Sequence, residues 1–264
     1  MNTLPGVARA SRILIIGLLL FACSAPLARS AAPSSTTPPK ARVLLVTGID
    51  YPGHLWRETA PVLAAALREH AQLEVFTVDD PAFLDSSAIH RYDLMLIHFQ
   101  NWEQPGPGPS ARDNLQRFVE GGKGVALVHF ACGAWYGEWP EFEKIAGRVW
   151  FGANPGPGKR QHDPFGTFRV EFPNPTDPLV KGLPPFETQD ELYTCLAGEH
   201  PIQVIAHAKS KIDSQYYPMA FTSRYGLGRT FHCVLGHDAK ALAVPGVQEL
   251  YRRGCAWAAG LNPK

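Results

Sequence analysis

Acidic residues are absent from the first 49 positions of this 264-residue chain, and charged residues of both signs make up only 19% of it. So little charge excludes a long coiled coil, and 45% hydrophobic residues exclude a disordered or collagen-like chain. No run of Lys or Arg occurs, which argues against a nucleic-acid partner. Dinucleotide binding would need Gly-x-Gly-x-x-Gly after the first strand. What stands there is Gly48-Ile-Asp-Tyr-Pro-Gly53-His54-Leu55, whose glycine spacing mimics a phosphate loop without its Lys and Ser/Thr. Gly-x-Ser-x-Gly, His-Glu-x-x-His and Cys-x-x-Cys are also missing, which removes the serine hydrolase elbow, the zincin helix and a paired-cysteine redox or zinc motif.

What is present begins with a basic, then apolar, leader. Arg9 and Arg12 precede residues 13–22, an apolar stretch too short to span a bilayer but suited to an export signal. Residues 1–32 are therefore expected to be a signal peptide, an anchor helix being the alternative. Leu20-Phe21-Ala22-Cys23 resembles a bacterial lipobox, which would lipidate Cys23 and tie the protein to a membrane. Ordinary cleavage after Ser30 or Ala32 would release it to the periplasm. Residues 33–40, rich in Pro, Ser and Thr, read as a flexible tether. Removing Arg9, Arg12 and Arg29 with the first thirty residues leaves 22 basic residues against 24 acidic ones. Export permits disulfides, and Cys132, Cys195, Cys233 and Cys255 allow three pairings; Cys233 and Cys255 also suit a packed core.

From residue 41 to 264 the chain reads as one domain. Apolar runs at 42–47, 73–78, 92–98 and 124–129 predict strands, with helices over 55–68 and 111–120 between them. Ser110 is the expected N-cap of the second helix and Gly121-Gly122 its stop. This alternation predicts a doubly wound, mainly parallel α/β sheet. Alternating strands follow at 166–172 and 202–208. Strands at 218–222 and 229–235 flank a Gly-containing turn and form an antiparallel hairpin. An amphipathic helix over 247–259 closes the chain.

Ligands of such a sheet bind beyond the C-terminal ends of its strands. There the sequence places His54, His98, His129 and His237, four of its ten histidines. Asp190, Glu191 and Asp163 could orient imidazoles or act as bases, and His129 and His237 are the candidate acid–base pair. Trp102, Trp135, Trp139 and Tyr193 offer faces for sugar C–H groups, with His54, His98, His162 and Asp163 as further substrate contacts. His54, His129 and His237 are also candidate ligands for a divalent metal such as zinc, although no two of them lie at a short ligand spacing. A proton-transferring enzyme and a non-catalytic carbohydrate-binding module both fit this inventory.

Several segments resemble the ThuA-like proteins, a family named for bacterial trehalose utilisation. They are Gly-Gly-Lys-Gly-Val-Ala-Leu-Val-His at 121–129, Trp139-Pro-Glu-Phe with Ile145-Ala-Gly147, Gly182-Leu-Pro, Asp190-Glu191-Leu-Tyr193, Tyr225-Gly-Leu-Gly-Arg-Thr-Phe-His232, Leu235-Gly-His237 and Arg252-Arg-Gly-Cys-Ala-Trp257. The resemblance implies a three-layer α/β sandwich like that of class I glutamine amidotransferases. It also implies sugar metabolism, with keto-sugars from partner dehydrogenases as substrates, and site positions His54, His129, Asp190, Glu191 and His237. Many relatives carry a His where Phe151-Gly-Ala-Asn154 stands here; His162-Asp163 is its expected replacement. Amidotransferases place a nucleophilic Cys at a strand–helix elbow. Here that elbow is expected at Phe130 rather than Cys132, and no His-x-Glu follows the late strand, so amidotransferase activity is not expected.

Overall fold

A computed structural model of the chain describes residues 40–151 and 161–264. The leader, the lipobox at Cys23 and almost all of the tether lie outside the described residues. Val43, Leu44, Leu45 and Val46 are all buried, as a strand covered on both faces requires. They form β1 (Ala41–Val46), followed by α1 (Trp56–Arg68), β2 (Leu73–Val78), β3 (Leu94–Ile97), α2 (Pro109–Glu120) and β4 (Gly124–Val128). After β4 come α3 (Glu141–Ala146), β5 (Val149–Trp150), β6 (Gly166–Glu171), β7 (Phe186–Asp190), β8 (Leu196–Ala197), β9 (Gln203–Lys209), β10 (Tyr216–Tyr225), β11 (Gly228–Cys233), α4 (Ala239–Leu242) and α5 (Pro245–Ala258).

Nine strands form one sheet in the order β2-β1-β3-β4-β11-β10-β9-β6-β7. The first five are parallel and the rest antiparallel. The β10–β11 hairpin closes through Gly226 and Leu227, with Gly226 at φ +57°. β5 and β8 pair separately. Alternate side chains of each parallel strand enter opposite layers. Val43 and Leu45 pack with α1 and α5, through Leu63, Leu67, Leu250 and Tyr251. Leu44 and Val46 pack in the layer of Leu115, Phe118, Phe142 and Ile145 from α2 and α3. The three-layer, mainly parallel α/β architecture follows from this split.

Two local expectations are corrected. Helix α2 begins at Pro109 with Gly108 as N-cap, two residues ahead of the expected Ser110 cap, because proline's fixed φ suits the first helical residue. The non-glycine residue of the elbow after β4 is His129, at φ +44°, not Phe130. Cys132, Cys195, Cys233 and Cys255 are buried.

Candidate functional site

Four segments deliver the site to the edge where the parallel strands end. His54 follows β1, His129 follows β4, Glu191 follows β7 and His237 follows β11. The turn into His237 uses Gly236 at φ +119°, where a Cβ would sit 2.7 Å from Leu242. The elbow that begins at His129 runs into a 3-10 turn, His129–Gly133. A Cβ on Gly133 would lie 2.6 Å from Trp102 Nε1, so only glycine admits that close approach. A left-handed residue other than glycine costs of order 1–3 kcal/mol, and such outliers mark functional positions.

The ligand-type atoms of His54, His129, His237 and Glu191 all lie within 4.8 Å of one another. His54 Nε2 is 3.1 Å from His129 Nε2 and 3.2 Å from His237 Nδ1. Glu191 Oε2 stands 3.4 Å from His237 Nδ1, 3.5 Å from His129 Nε2 and 3.8 Å from His54 Nε2. Four ligands around a tetrahedral ion with bonds near 2.0–2.1 Å are separated by about 3.3 Å.

The outer hydrogen bonds fix the tautomers. His129 Nδ1 lies 2.8 Å from the Val234 carbonyl, and His54 Nδ1 lies 3.3 Å from the Pro52 carbonyl. A carbonyl only accepts, so both Nδ1 atoms carry the proton and both neutral rings turn a bare Nε2 lone pair inward. Two lone pairs 3.1 Å apart, with a carboxylate beside them, repel unless a proton or a cation sits among them. Backbone carbonyls that hold the far nitrogen of an imidazole are also what orients metal-binding histidines. Burial lowers the His129 pKa to about 4, against the pull of Glu191. Burial disfavours the Glu191 charge, but its contacts with His129, His237 and His54 outweigh that and hold the carboxyl well below its usual range. His237 is raised, the hydrogen bond and charge of Glu191 overcoming its partial burial.

Asp190 sits behind this cluster. Its Oδ1 accepts from the amides of Glu191 (2.8 Å) and His237 (3.2 Å), and its Oδ2 accepts from Gly236 (2.7 Å). The carboxylate thus clamps the loops that carry Glu191 and His237 together through their backbones. Burial pushes its pKa up to about 7, against those three donors.

The other predicted residues divide. His162 reaches the rim, its Nε2 3.6 Å from Glu191 Oε1. Tyr193 donates to His129 Nε2 at 2.8 Å. Trp102 joins an aromatic wall in which Tyr51, Trp102, Trp150 and Tyr193 stand with ring centroids 4.8–5.2 Å apart in succession. His98 does not join the cluster. It is buried behind the Phe130 ring and bonds Thr47 Oγ1 and Thr59 Oγ1, because β3 lies between the two strands that lead to His54 and His129. The Asp163 carboxylate accepts from Ser210 Oγ and the Lys211 amide and ties a loop. Trp135 is buried with its indole N–H on the Pro107 carbonyl. With Trp139 it lines a separate cavity of about 330 Å³, which none of the four clustered residues lines. Sequence reasoning missed Phe165, which is 43% exposed with its ring 5.1 Å from that of His237. It also missed the Val234 and Pro52 carbonyls, for which a sequence carries no signal.

No curated protein matches the chain. A ThuA-like protein from Parabacteroides merdae is 26% identical, with a TM-score of 0.74 over 85% of this chain and 92% of its own. A ThuA-like protein from Bacteroides uniformis superposes with a TM-score of 0.67 at 17% identity, over 88% of this chain and 99% of its own. A Salmonella typhimurium protein, STM3548, shares the fold at 13% identity and a TM-score of 0.51, over 80% of this chain and 96% of its own. The ThuA family model, described as trehalose utilisation, matches residues 42–258, and the chain belongs to that family, which relates to carbohydrate metabolism.

Proposed function

We propose that this protein is an exported enzyme that processes a sugar or keto-sugar at a divalent-cation centre held by His54, His129, His237 and Glu191. The observation that carries this reading is the pair of inward, unprotonated Nε2 atoms 3.1 Å apart, with His237 Nδ1 3.2 Å from one of them and Glu191 Oε2 within 3.8 Å of all three nitrogens. Three neutral imidazoles and one carboxylate suit zinc or a similar borderline ion. When bound, such an ion would supply Lewis-acid polarisation of a substrate oxygen, for which one of the four side chains has to yield its place or the ion has to accept a fifth ligand. In this reading His129 and His237 hold the cation and do not themselves shuttle protons. Proton transfer falls to His162. Its Nδ1 is fixed on the Asp163 carbonyl at 2.7 Å, and its side chain is 29% exposed at the rim. Phe165 offers an exposed face for the apolar side of a sugar ring.

Elemental analysis of untagged protein tests the proposal. One equivalent of a transition metal per chain is expected, removed by chelator and lost in His129→Ala and His237→Ala. Less than about a tenth of an equivalent, with turnover of oxidised disaccharides unaffected by chelator, would overturn it. The aromatic cavity supports a second reading, a non-catalytic carbohydrate-binding module. That reading expects sugar binding that falls in Trp139→Ala, persists in His237→Ala and yields no product.

A further inference from the structure

Tyr193 is buried to 3% exposure, its ring packed edge-on against Trp150 and tilted against His129. Its hydroxyl lies 2.8 Å from His129 Nε2. The Nδ1 proton of His129 is committed to Val234, so Nε2 offers a single lone pair. A cation held by the cluster and the tyrosine proton therefore claim the same electrons. Once the cation takes them, a buried hydroxyl is left without its acceptor, a costly state unless a new oxygen arrives. An oxygen that the cation binds on its Tyr193 side comes within reach of that hydroxyl, because both address the same nitrogen.

We infer that Tyr193 is a catalytic residue. Its hydroxyl caps His129 in the cation-free protein and donates to the carbonyl oxygen of a keto-sugar in the loaded one. A carbonyl oxygen has two lone pairs and no proton, so it can face a cation and an O–H donor together. The inference rests on the cation reading above and deepens it by naming the substrate group.

The test uses zinc and acetohydroxamate, whose anionic oxygens stand in for the polarised carbonyl, and the variant Tyr193→Phe, which keeps the ring. Near-ultraviolet circular dichroism checks its packing, and the cobalt-substituted spectrum checks the ligand geometry. Removing the hydroxyl removes a competitor, so zinc affinity is expected to stay equal or rise by up to about tenfold. Acetohydroxamate binding to the zinc form is expected to weaken by about tenfold or more, as for the loss of a hydrogen bond to a charged group. Weaker zinc binding in Tyr193→Phe with an altered cobalt spectrum, or unchanged hydroxamate affinity, would overturn the inference. Absence of zinc binding by the wild type would instead sink the cation reading.

Discussion

Two adjacent carboxylates, Asp190 and Glu191, should fail in different ways when neutralised. Every partner of the Asp190 carboxylate is a backbone donor, and there are three. A proton on this group would have no acceptor, and neither would an amide N–H₂. Asp190→Asn therefore keeps at best the Oδ1 bonds to Glu191 and His237 and turns an N–H₂ toward the Gly236 amide. The loss is one charge-assisted hydrogen bond, about 1.5–3 kcal/mol, plus a buried amide left unpaired at about 1–3 kcal/mol. A destabilisation on the order of 4 kcal/mol results, measured by urea unfolding of metal-free protein at a pH well above the raised Asp190 pKa, where the carboxylate is ionised. Glu191→Gln removes no such clamp, so its unfolding midpoint should move far less while its zinc affinity drops. A loss under about 1 kcal/mol in Asp190→Asn, or a larger one in Glu191→Gln, would refute the division of labour.

Two further predictions concern packing and acid. His232 is fully buried with one nitrogen on the Ala146 carbonyl, and burial lowers its pKa to about 4. Its folded pKa lies below the ordinary 6.5, so the unfolded chain binds the proton more readily; the contribution is whole above pH 6.5 and is lost as pH falls toward 4. Between pH 7.5 and 4.5 this amounts to about 2–3 kcal/mol, and His232→Asn should flatten that part of the stability profile; an unchanged acid slope would count against it. Gly254 on α5 faces the Phe231 ring, where an added Cβ would lie 2.3 Å from Cε1. Gly254→Ala should lower stability by about 1–3 kcal/mol through overpacking, visible as a fall in melting temperature, whereas an unshifted melt would show that the ring can move.

The parallel half of the sheet was legible because its strands are buried on both faces and read as unbroken apolar runs, as in β1 and β4. β7 was not. Phe186-Glu-Thr-Gln-Asp190 alternates burial with mostly polar residues, so its strand character depends on pairing with β6 rather than on hydrophobicity. α3 spans six residues, too short for a helical period to stand out. The rule that ligands gather beyond strand ends found His54, His129 and His237. It overreached at His98, because it states which edge a residue reaches and not whether a neighbouring strand's turn will cover it. The elbow was misplaced by one residue because a positive φ leaves no mark in the sequence when a histidine adopts it.

The four converging side chains come from positions 54, 129, 191 and 237. During synthesis the pocket therefore stays incomplete until the last parallel strand has emerged and docked beside β4. A chain stopped before residue 237 would carry a strained histidine and an inward-facing carboxylate with no fourth partner. Assembly of the cluster is thus a late event that reports completion of the fold, and under the proposed cation reading uptake of the ion should lag behind the appearance of native helix in a refolding experiment.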